Sequence, residues 1–266
     1  CLGDTGAMFG HSPPPVVAAL QAQVAQGLTT MLPSVVAPEV GALLAARFGL
    51  PWWQVTMTAS DANRCVLRWA RAITGRQRVL VFDHCYHGQI EDAMVRLDAD
   101  GEVANRPGLV GQAANLALHS GCIPFNDLPA LEAALVSGGP ALVAVMAANN
   151  ETGVLHPVES ISETCRRHGA LLHVDAVQMP GRLPFTLGAA DSMALSAHKM
   201  GGPKGVGALL LRPGLDPAPL LTGGGQESGR RGGTEALPAI AGFAAAAAVM
   251  GLHKNDPVRF GIKTAG

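Results

Sequence analysis

The sequence has almost no net charge and no apolar run long enough to span a bilayer. Its 19 basic and 20 acidic residues leave a net charge of -1. Neither sign forms a block, so the chain carries no electrostatic footprint for nucleic acid or an anionic membrane. The most apolar segment, 236–250, covers about 15 residues and includes Pro238, which predicts a packed helix. We therefore predict a small-molecule partner, with no nucleic acid and no membrane.

Cysteine is also scarce, and its pattern argues against two kinds of site. The five cysteines are odd in number and widely spaced: Cys1, Cys65, Cys85, Cys122 and Cys165. This spacing fits neither a disulfide framework nor a zinc site, so we predict a reduced, cytoplasmic protein without a metal. The chain begins at Cys1 in a glycine-rich run, without an initiating methionine. We expect it to be a piece of a longer protein.

The glycine-rich segments lack the phosphate-binding motifs of nucleotide enzymes. The chain contains neither Gly-x4-Gly-Lys-Ser/Thr nor a strand-linked Gly-x-Gly-x-x-Gly. The lysine in Gly202-Pro-Lys-Gly205 fits neither spacing. A nucleotide-binding α/β enzyme is therefore the weakest of the functional hypotheses.

Apolar runs of strand length alternate with amphipathic segments of helix length. This alternation is typical of an α/β domain with a mostly parallel sheet flanked by helices. The predicted strands are 78–83, 142–148, 171–175, 192–196 and 206–212, and the predicted helices are 14–26, 37–48, 61–74, 127–135, 158–168 and 235–250. We expect residues 1–252 to form one large domain and leave the tail, 253–266, unassigned.

Two consecutive predicted strands end in residues that suit one cofactor chemistry. Asp175 closes the first strand and Ser196-Ala-His-Lys199 closes the second, so parallel pairing brings Asp175 and Lys199 to one edge. Pyridoxal 5'-phosphate requires a lysine amine and an acid that keeps its ring nitrogen protonated. Either residue alone is more often a cap or a solvated side chain. Together with Ser196, His198 and Gln178 they predict a Schiff-base lysine and its acidic partner.

The phosphate of this cofactor needs hydrogen-bond donors and a helix amino terminus. Ser60 and Asp61 lie where an apolar run gives way to a helical pattern. We expect Ser60 to bond the phosphate while backbone amides of this turn surround it; a Ser60 that only caps the helix is an equal alternative. Ser196 and His198 are further candidates, although each also suits a turn-forming role.

The cofactor ring also needs a stacking partner. The segment His84-Cys-Tyr-His-Gly88 follows a predicted strand and holds Tyr86, the one tyrosine of the chain. We predict that Tyr86, or failing that His87, stacks on the pyridine. A partly buried structural aromatic is an equally weighted alternative.

From about residue 143 to 243 the chain resembles the cysteine desulfurase group of class V aminotransferases. The motifs that carry this resemblance are Asn149-Asn-Glu-Thr-Gly153, His173-Val-Asp-Ala-Val-Gln178, Ser196-Ala-His-Lys199, Gly202-Pro-Lys-Gly205 and Gly223-Gly-Gly-Gln-Glu227. The resemblance implies the large domain of a fold-type I pyridoxal-phosphate transferase. Its C-terminal small domain is expected to be missing.

Residues 1 to about 135 instead resemble class III aminotransferases of the glutamate-1-semialdehyde aminomutase type. The matching motifs are Gly10-His-Ser-Pro13, Thr58-Ala-Ser-Asp-Ala-Asn63, Cys85-Tyr-His-Gly88 and Phe125-Asn-Asp127. Desulfurases usually place a histidine at the stacking position, so Tyr86 departs from their pattern. Both families share the fold-type I architecture, and a change of resemblance near 135–143 therefore need not break the fold.

The double resemblance implies roles around the reactive end of the cofactor. Lys199 is implied to form the Schiff base and act as the catalytic base. Asp175 would contact the pyridine nitrogen, and Gln178 the ring hydroxyl. Asn150 would approach the cofactor or substrate from its strand end.

The resemblance also implies how the phosphate is held. Ser60, Ser196 and His198 match the positions that bind it. Thr234 matches a segment that reaches the phosphate of a neighbouring subunit, which implies a homodimer.

The implied activity is that of a pyridoxal-phosphate enzyme acting on a small-molecule amino-acid substrate. In desulfurases, the persulfide-forming cysteine and the arginine that binds the substrate carboxylate lie in a C-terminal region that this chain is expected to lack. We therefore predict cofactor binding without efficient desulfuration. A class III transaminase or aminomutase is the first alternative, and a catalytically inactive cofactor-binding or interaction fragment is the second.

Overall fold

The computed structural model describes residues 6–7, 9–29, 34–182, 190–215 and 217–251. The unassigned tail, 253–266, and Cys1 lie outside the described residues. The helices are α1 (Pro14–Gln26), α2 (Val36–Phe48), α3 (Ala59–Thr74), α4 (Leu128–Val136), α5 (Val158–Arg167), α6 (Gln226–Gly229) and α7 (Leu237–Gly251). Within the described ranges, no helix has the length and apolar character needed to cross a membrane.

A twisted, mostly parallel sheet forms the centre of the molecule, as predicted. The strands are β1 (Trp52–Thr56), β2 (Val79–Phe82), β3 (Val95–Leu97), β4 (Val103–Asn105), β5 (Ser120–Ile123), β6 (Leu142–Met146), β7 (Leu171–Asp175), β8 (Ser192–Ser196) and β9 (Gly207–Leu211). Seven of them form one sheet in the order β1-β9-β8-β7-β6-β2-β5, and β3 pairs with β4 separately. In this sheet β5, β2, β6, β7 and β8 run parallel to one another, whereas β9 is antiparallel to its neighbours β1 and β8.

Both faces of this sheet are buried, which explains why its strands are continuous apolar runs. Along β6, Leu142 and Ala144 pack into one hydrophobic cluster with residues of α3. Val143 and Val145, which point the other way, join a second cluster with residues of α2, α4, α5 and α7. Because side chains alternate between the two faces of a strand, those of β6 pack against a layer of helices on each face of the sheet.

Local signals place most element boundaries, whereas the strands that were missed depend on distant pairing. β7 and β8 have the predicted bounds. Asp127 caps α4, since its Oδ1 accepts a hydrogen bond from Ala130 N at 2.9 Å. The sequence patterns missed β1, which contains Gln54, and β5, which begins Ser120-Gly121. Their pairing partners lie far away in the chain, and short runs with polar or small residues do not indicate such pairing.

The outer edge of β1 is closed by two side chains. Val55 N donates a hydrogen bond to Glu227 Oε2 at 2.8 Å, and Arg231 Nη1 donates to Val55 O at 3.4 Å. Glu227 is buried and has a φ of 52°, a left-handed conformation that costs free energy for a residue other than glycine. These contacts satisfy backbone groups that an edge strand otherwise leaves unpaired.

The buried carboxyl group of Glu227 has few partners that offset the free-energy cost of its desolvation. Its Oε1 lies 3.4 Å from Arg231 Nε, but neither atom has a hydrogen-bond partner, so the ion pair is weak. Burial raises the pKa of Glu227 to about 7, and the bond from Val55 and the charge of Arg231 offset only part of that rise. Glu227 is therefore partly protonated near neutral pH.

This pKa predicts how stability depends on pH. Because the folded pKa of about 7 lies above the ordinary 4.5, the folded chain holds a proton that the unfolded chain has lost. Glu227 therefore lowers the free energy of unfolding as pH rises between those values, by about 1.4 kcal/mol per unit at most. We expect Glu227→Gln to gain stability relative to wild type over this window in urea unfolding. The exposed Glu39→Gln serves as control, and a constant difference between Glu227→Gln and wild type from pH 4.5 to 7 contradicts the assignment.

Candidate active site

A cavity of about 320 Å³ opens at the carboxyl edge of the parallel strands. The residues that line it come from the ends of β2, β6, β7 and β8 and from the start of α3: Thr58, Ala59, Ser60, Asn63, Tyr86, His87, Gly88, Met146, Asn150, Asp175, Val177, Gln178, Ser196, His198 and Lys199. A larger cavity, about 550 Å³, lies at the amino ends of β7 and β8 and contains none of the predicted site residues. The smaller cavity is the candidate site, because most of the predicted site residues line it.

The parallel pairing of β7 and β8 brings Asp175 and Lys199 to this cavity. Asp175 is opposite Ala194 in the register, so β8 continues for two more residues before the chain turns. The 3-10 helix Ala197–Met200 then carries Lys199 to the rim of the cavity. Lys199 is half-buried there, whereas Asp175 is buried.

Asp175 is a buried carboxylate surrounded by donors. Asn63 Nδ2 donates to Asp175 Oδ2 at 2.9 Å, and Val177 N donates to Oδ1 at 3.3 Å. His87 Nδ1 lies 3.5 Å from Oδ2. Burial alone would raise the pKa of Asp175, but the contacts with His87 and Asn63 outweigh it and hold that pKa below its ordinary value. The candidate site therefore contains a negatively charged carboxylate, that of Asp175.

The ring of His87 is a buried polar group without a hydrogen-bond partner. The residue is 2% exposed, and neither Nδ1 nor Nε2 forms a hydrogen bond. The 3.5 Å contact with Asp175 has the charge proximity of an ion pair without hydrogen-bond geometry. An unpaired buried ring nitrogen beside a cavity is the kind of group that a bound ligand satisfies.

The turn before α3 decides against one of the two alternatives for Ser60. Thr58, not Ser60, caps the helix, since Thr58 Oγ1 accepts a hydrogen bond from Asp61 N at 3.1 Å. Ser60 Oγ instead accepts from Gln89 N at 3.0 Å and lines the cavity. Capping as the sole role of Ser60 is therefore wrong.

The structure does not bring the predicted Asp61 side chain into the cavity. Its Oδ2 accepts a hydrogen bond from Met57 N at 3.4 Å, and its Oδ1 lies 3.5 Å from Arg64 Nη1. Both contacts stabilise the first turn of α3 and lie outside the cavity. Asp61 therefore stabilises the turn, and Thr58, Ala59 and Ser60 line the cavity.

Gly88 allows the loop after β2 to lie against this turn. Its φ is 80°, and a Cβ atom added there would lie 2.0 Å from Ser60 Oγ. A side chain at this position would therefore collide with a cavity-lining hydroxyl. The glycine is required both by conformation and by the close approach.

Ser196 and His198 form a polar pair on the opposite wall. Ser196 Oγ and His198 Nδ1 are 2.7 Å apart. Burial, followed by the neighbouring charges of Lys199 and Lys204, lowers the pKa of His198. A neutral imidazole at this position presents its other nitrogen as a hydrogen-bonding group.

Three more predicted residues line the cavity, and one lies away from it. Tyr86 is 40% exposed, and Asn150 and Gln178 are half-buried. Asn149 fixes the loop that carries Asn150, because its side chain donates to His84 O at 3.0 Å. Thr234 is absent from the cavity lining.

Sequence patterns missed Asn63, Thr58 and Met146 as lining residues. Asn63 was within reach of the sequence, since it lies three positions after Ser60 and therefore on the same face of α3. Met146 accepts a hydrogen bond from Tyr86 N at its sulfur, at 3.4 Å. Nothing in the sequence signals that contact, which depends on the pairing of β2 with β6.

Comparison with known proteins agrees with both predicted resemblances. The family model "Aminotransferase class-V" matches residues 125–256. Cysteine desulfurase 2 of Trichormus variabilis is 37% identical over 206 residues, which cover 77% of this chain and 49% of that protein. The chain thus spans about half the length of this curated relative.

Solved structures of both kinds match most of the chain. A glutamate-1-semialdehyde aminomutase from Pseudomonas aeruginosa PAO1 matches with a TM-score of 0.78 and 33% identity, over 93% of this chain and 58% of that one. A NifS-like protein matches with a TM-score of 0.71 and 26% identity, over 90% and 67%. Residues 125–256 are therefore similar to class V aminotransferases, and the described part of the chain has the α/β architecture of the fold-type I pyridoxal-phosphate enzymes.

Proposed function

We propose that the cavity binds pyridoxal 5'-phosphate and that the chain is the catalytic large domain of an enzyme acting on an amino acid. The observation that carries this proposal is the convergence of Asp175 and Lys199 on one cavity at the carboxyl edge of β7 and β8. Neither residue needs to be there for the sheet to form. Their joint presence suits a cofactor that requires an amine and a buried acid.

The residues present fit the ring of this cofactor. The Asp175 carboxylate, fixed by Asn63, is an acceptor for a protonated pyridine nitrogen. The unpartnered ring of His87 lies beside it. Tyr86 lines the cavity and is 40% exposed, which supports the stacking role, and Gln178 supplies an amide for the ring hydroxyl.

The phosphate end has matching donors. Ser60, Ser196 and His198 all line the same cavity. The first turn of α3, at Ala59 and Ser60, has backbone N–H groups without intrahelical acceptors, together with the positive end of the helix dipole. This arrangement favours an anion at the start of the helix.

The reaction then divides between the cofactor and the chain. When bound, pyridoxal phosphate supplies an electrophilic aldehyde and an electron sink. Asp175 would hold the proton on the pyridine nitrogen. The Lys199 amine would condense with the aldehyde, which releases water, and once displaced by the substrate amine it would move the proton at the substrate Cα. Asn150 would orient the substrate.

Desulfurase-type chemistry is the first hypothesis for the substrate, on the strength of the class V match. The described thiols do not suit the sulfur-accepting role, because burial raises the pKa of Cys65 to about 11 and those of Cys85, Cys122 and Cys165 to about 12. A class III transaminase or aminomutase reaction is the second hypothesis. The Tyr86-His-Gly88 segment and the similarity to the aminomutase structure favour it.

A homodimer and a cytoplasmic location belong to the same proposal. Val35 and Met57 are large apolar residues that are 83% and 62% exposed, and Met57 adjoins the cavity-lining Thr58. A second subunit would cover such side chains, and Thr234 would reach its phosphate site. The four described cysteines are free and buried, which supports a reducing compartment.

Covalent cofactor binding at Lys199 is the first prediction. After incubation with pyridoxal 5'-phosphate and reduction with borohydride, mass spectrometry should locate the added mass on the peptide that contains Lys199. The variant Lys199→Ala should show no adduct. Lys204→Ala is the matched control, because Lys204 is five positions away, exposed and outside the cavity. An adduct on Lys204, or equal labelling of both variants, would rule out the proposed site.

The close approach at Gly88 gives a second prediction. We expect Gly88→Ala to weaken cofactor binding about tenfold or more, which is ~1.4 kcal/mol, because the methyl group displaces Ser60. Gly75→Ala is the control: Gly75 has a φ of 67°, but a Cβ atom there meets nothing within 4 Å. Equilibrium dialysis gives both affinities. Equal losses for the two variants would mean that backbone strain, not the collision with Ser60, is responsible.

The choice of substrate gives a third prediction. With cysteine, we expect the cofactor-loaded chain to release little sulfide or alanine, because the described thiols are buried and protonated. Sulfide release should be measured beside transamination of an amino donor with a 2-oxo acid. Rapid sulfide release by the purified chain would overturn this expectation, and no turnover of either kind would favour a binding fragment.

A further inference from the structure

A buried polar network joins the two halves of the chain behind the candidate site. Asn63 of α3 contacts Asp175 and the ring of His173, which both belong to β7. His173 Nδ1 in turn lies 2.8 Å from Ser192 Oγ of β8. Each of these residues is at most 2% exposed. The network thus connects the aminomutase-like half, through Asn63, to the class V half.

The acceptors around Asn63 fix the direction of every hydrogen bond in this network. Asn63 Nδ2 lies 2.9 Å from both His87 O and Asp175 Oδ2, and these two acceptors must face the amide N–H groups. Asn63 Oδ1 therefore faces His173 Nε2, 2.8 Å away, and that nitrogen must carry the hydrogen. His173 Nδ1 is then bare and accepts from the Ser192 hydroxyl.

The result is a one-way relay of donors that ends on a single anion. Ser192 donates to His173, His173 to Asn63, and Asn63 to Asp175. Burial lowers the pKa of His173 to about 3, so the ring is neutral and Asp175 is the charged member of the relay. Hydrogen bonds aligned in this way polarise one another and strengthen the last bond of the series.

We propose that Asn63 is a positioning residue, and that the relay from Ser192 through His173 and Asn63 fixes the Asp175 side chain and keeps it ionised. The inference rests on the proposed function, because the Asp175 carboxylate is the group assigned to the cofactor's ring nitrogen. It extends the site to His173 and Ser192, which do not line the cavity, and it assigns a role to Asn63, which does. Asn63 acts through Asp175.

Several titratable groups face Asp175 and must be considered with it. His87 approaches from the loop after β2, and His173 from two positions earlier on β7. Tyr86, His198 and Lys199 line the same cavity. None of these groups is changed by the substitutions used below, so differences between variants report the relay.

The test is a titration of Asp175 in the chain without cofactor. Selective ¹³C labelling of aspartate carboxyl groups and NMR follow each titration, and Asp175→Asn identifies the resonance. In the wild-type chain Asp175 should titrate below its ordinary 3.8. Asn63→Leu removes the donor at similar volume, and we expect it to raise that midpoint by about one pH unit or more, a tenfold change in proton affinity.

Two further variants make the result decisive. Ser192→Ala interrupts only the start of the relay and should raise the Asp175 midpoint by a smaller amount. Asn105→Leu is the matched control, because Asn105 also bridges backbone groups but lies outside the relay, and it should leave the midpoint unchanged. An Asn63→Leu chain that folds, as judged by its near-ultraviolet circular dichroism, and titrates like Asn105→Leu overturns the proposal. If Asn63→Leu does not fold, a Ser192→Ala chain whose Asp175 midpoint equals that of the wild type overturns the proposal.

Failure of this proposal can be told apart from failure of the proposed function. The titration uses the chain without cofactor, so a missing relay effect says nothing against labelling of Lys199. Conversely, the expected midpoints without any cofactor adduct would support the relay while refuting the cofactor site.

Discussion

The parallel pairing of β7 with β8 is the constraint on which the site depends. With Asp175 opposite Ala194, the carboxylate ends its strand two residues before β8 ends, and the 3-10 helix that follows brings Lys199 to the same cavity. A slip of one residue would move the side chains of the slipped strand to the opposite face of the sheet, because side chains alternate between faces. The buried faces forbid that slip, since each is filled by its own helical layer. Packing of the core therefore sets the separation of the two reactive groups.

A buried carboxylate at this position needs compensation, and the fold supplies it locally. Removing an ionised group from water costs several kcal/mol unless donors replace the lost hydration. Asn63 and Val177 donate to Asp175, and His87 lies beside it. The two donors come from α3 and the end of β7, and His87 comes from the loop after β2, so the charge is retained only when three separate elements have assembled. The site and the fold are coupled for this reason.

The sequence indicates the strands and the pair Asp175 and Lys199 more readily than the surroundings of the pair. Apolar periodicity defines β7 and β8, and motif spacing identifies Asp175, Lys199, Ser196 and His198. The cap of α3 is harder, because Thr58 and Ser60 are both hydroxyl residues and only backbone conformation makes Thr58 the cap. The position of Asn63 on the same face of α3 as Ser60 follows from helix periodicity, but its partners Asp175 and His173 do not. Contacts that cross the chain, such as Asn63 with His173, follow from tertiary packing alone.

The central claim is that one cavity at the carboxyl edge holds pyridoxal 5'-phosphate between Lys199 and Asp175. A crystal structure of the chain grown with that cofactor tests it most directly. The account predicts electron density continuous with Lys199 Nζ, the pyridine nitrogen against Asp175, and the phosphate at the start of α3 beside Ser60. A cofactor bound at any other place, or oriented with its phosphate toward Asp175, would contradict the account.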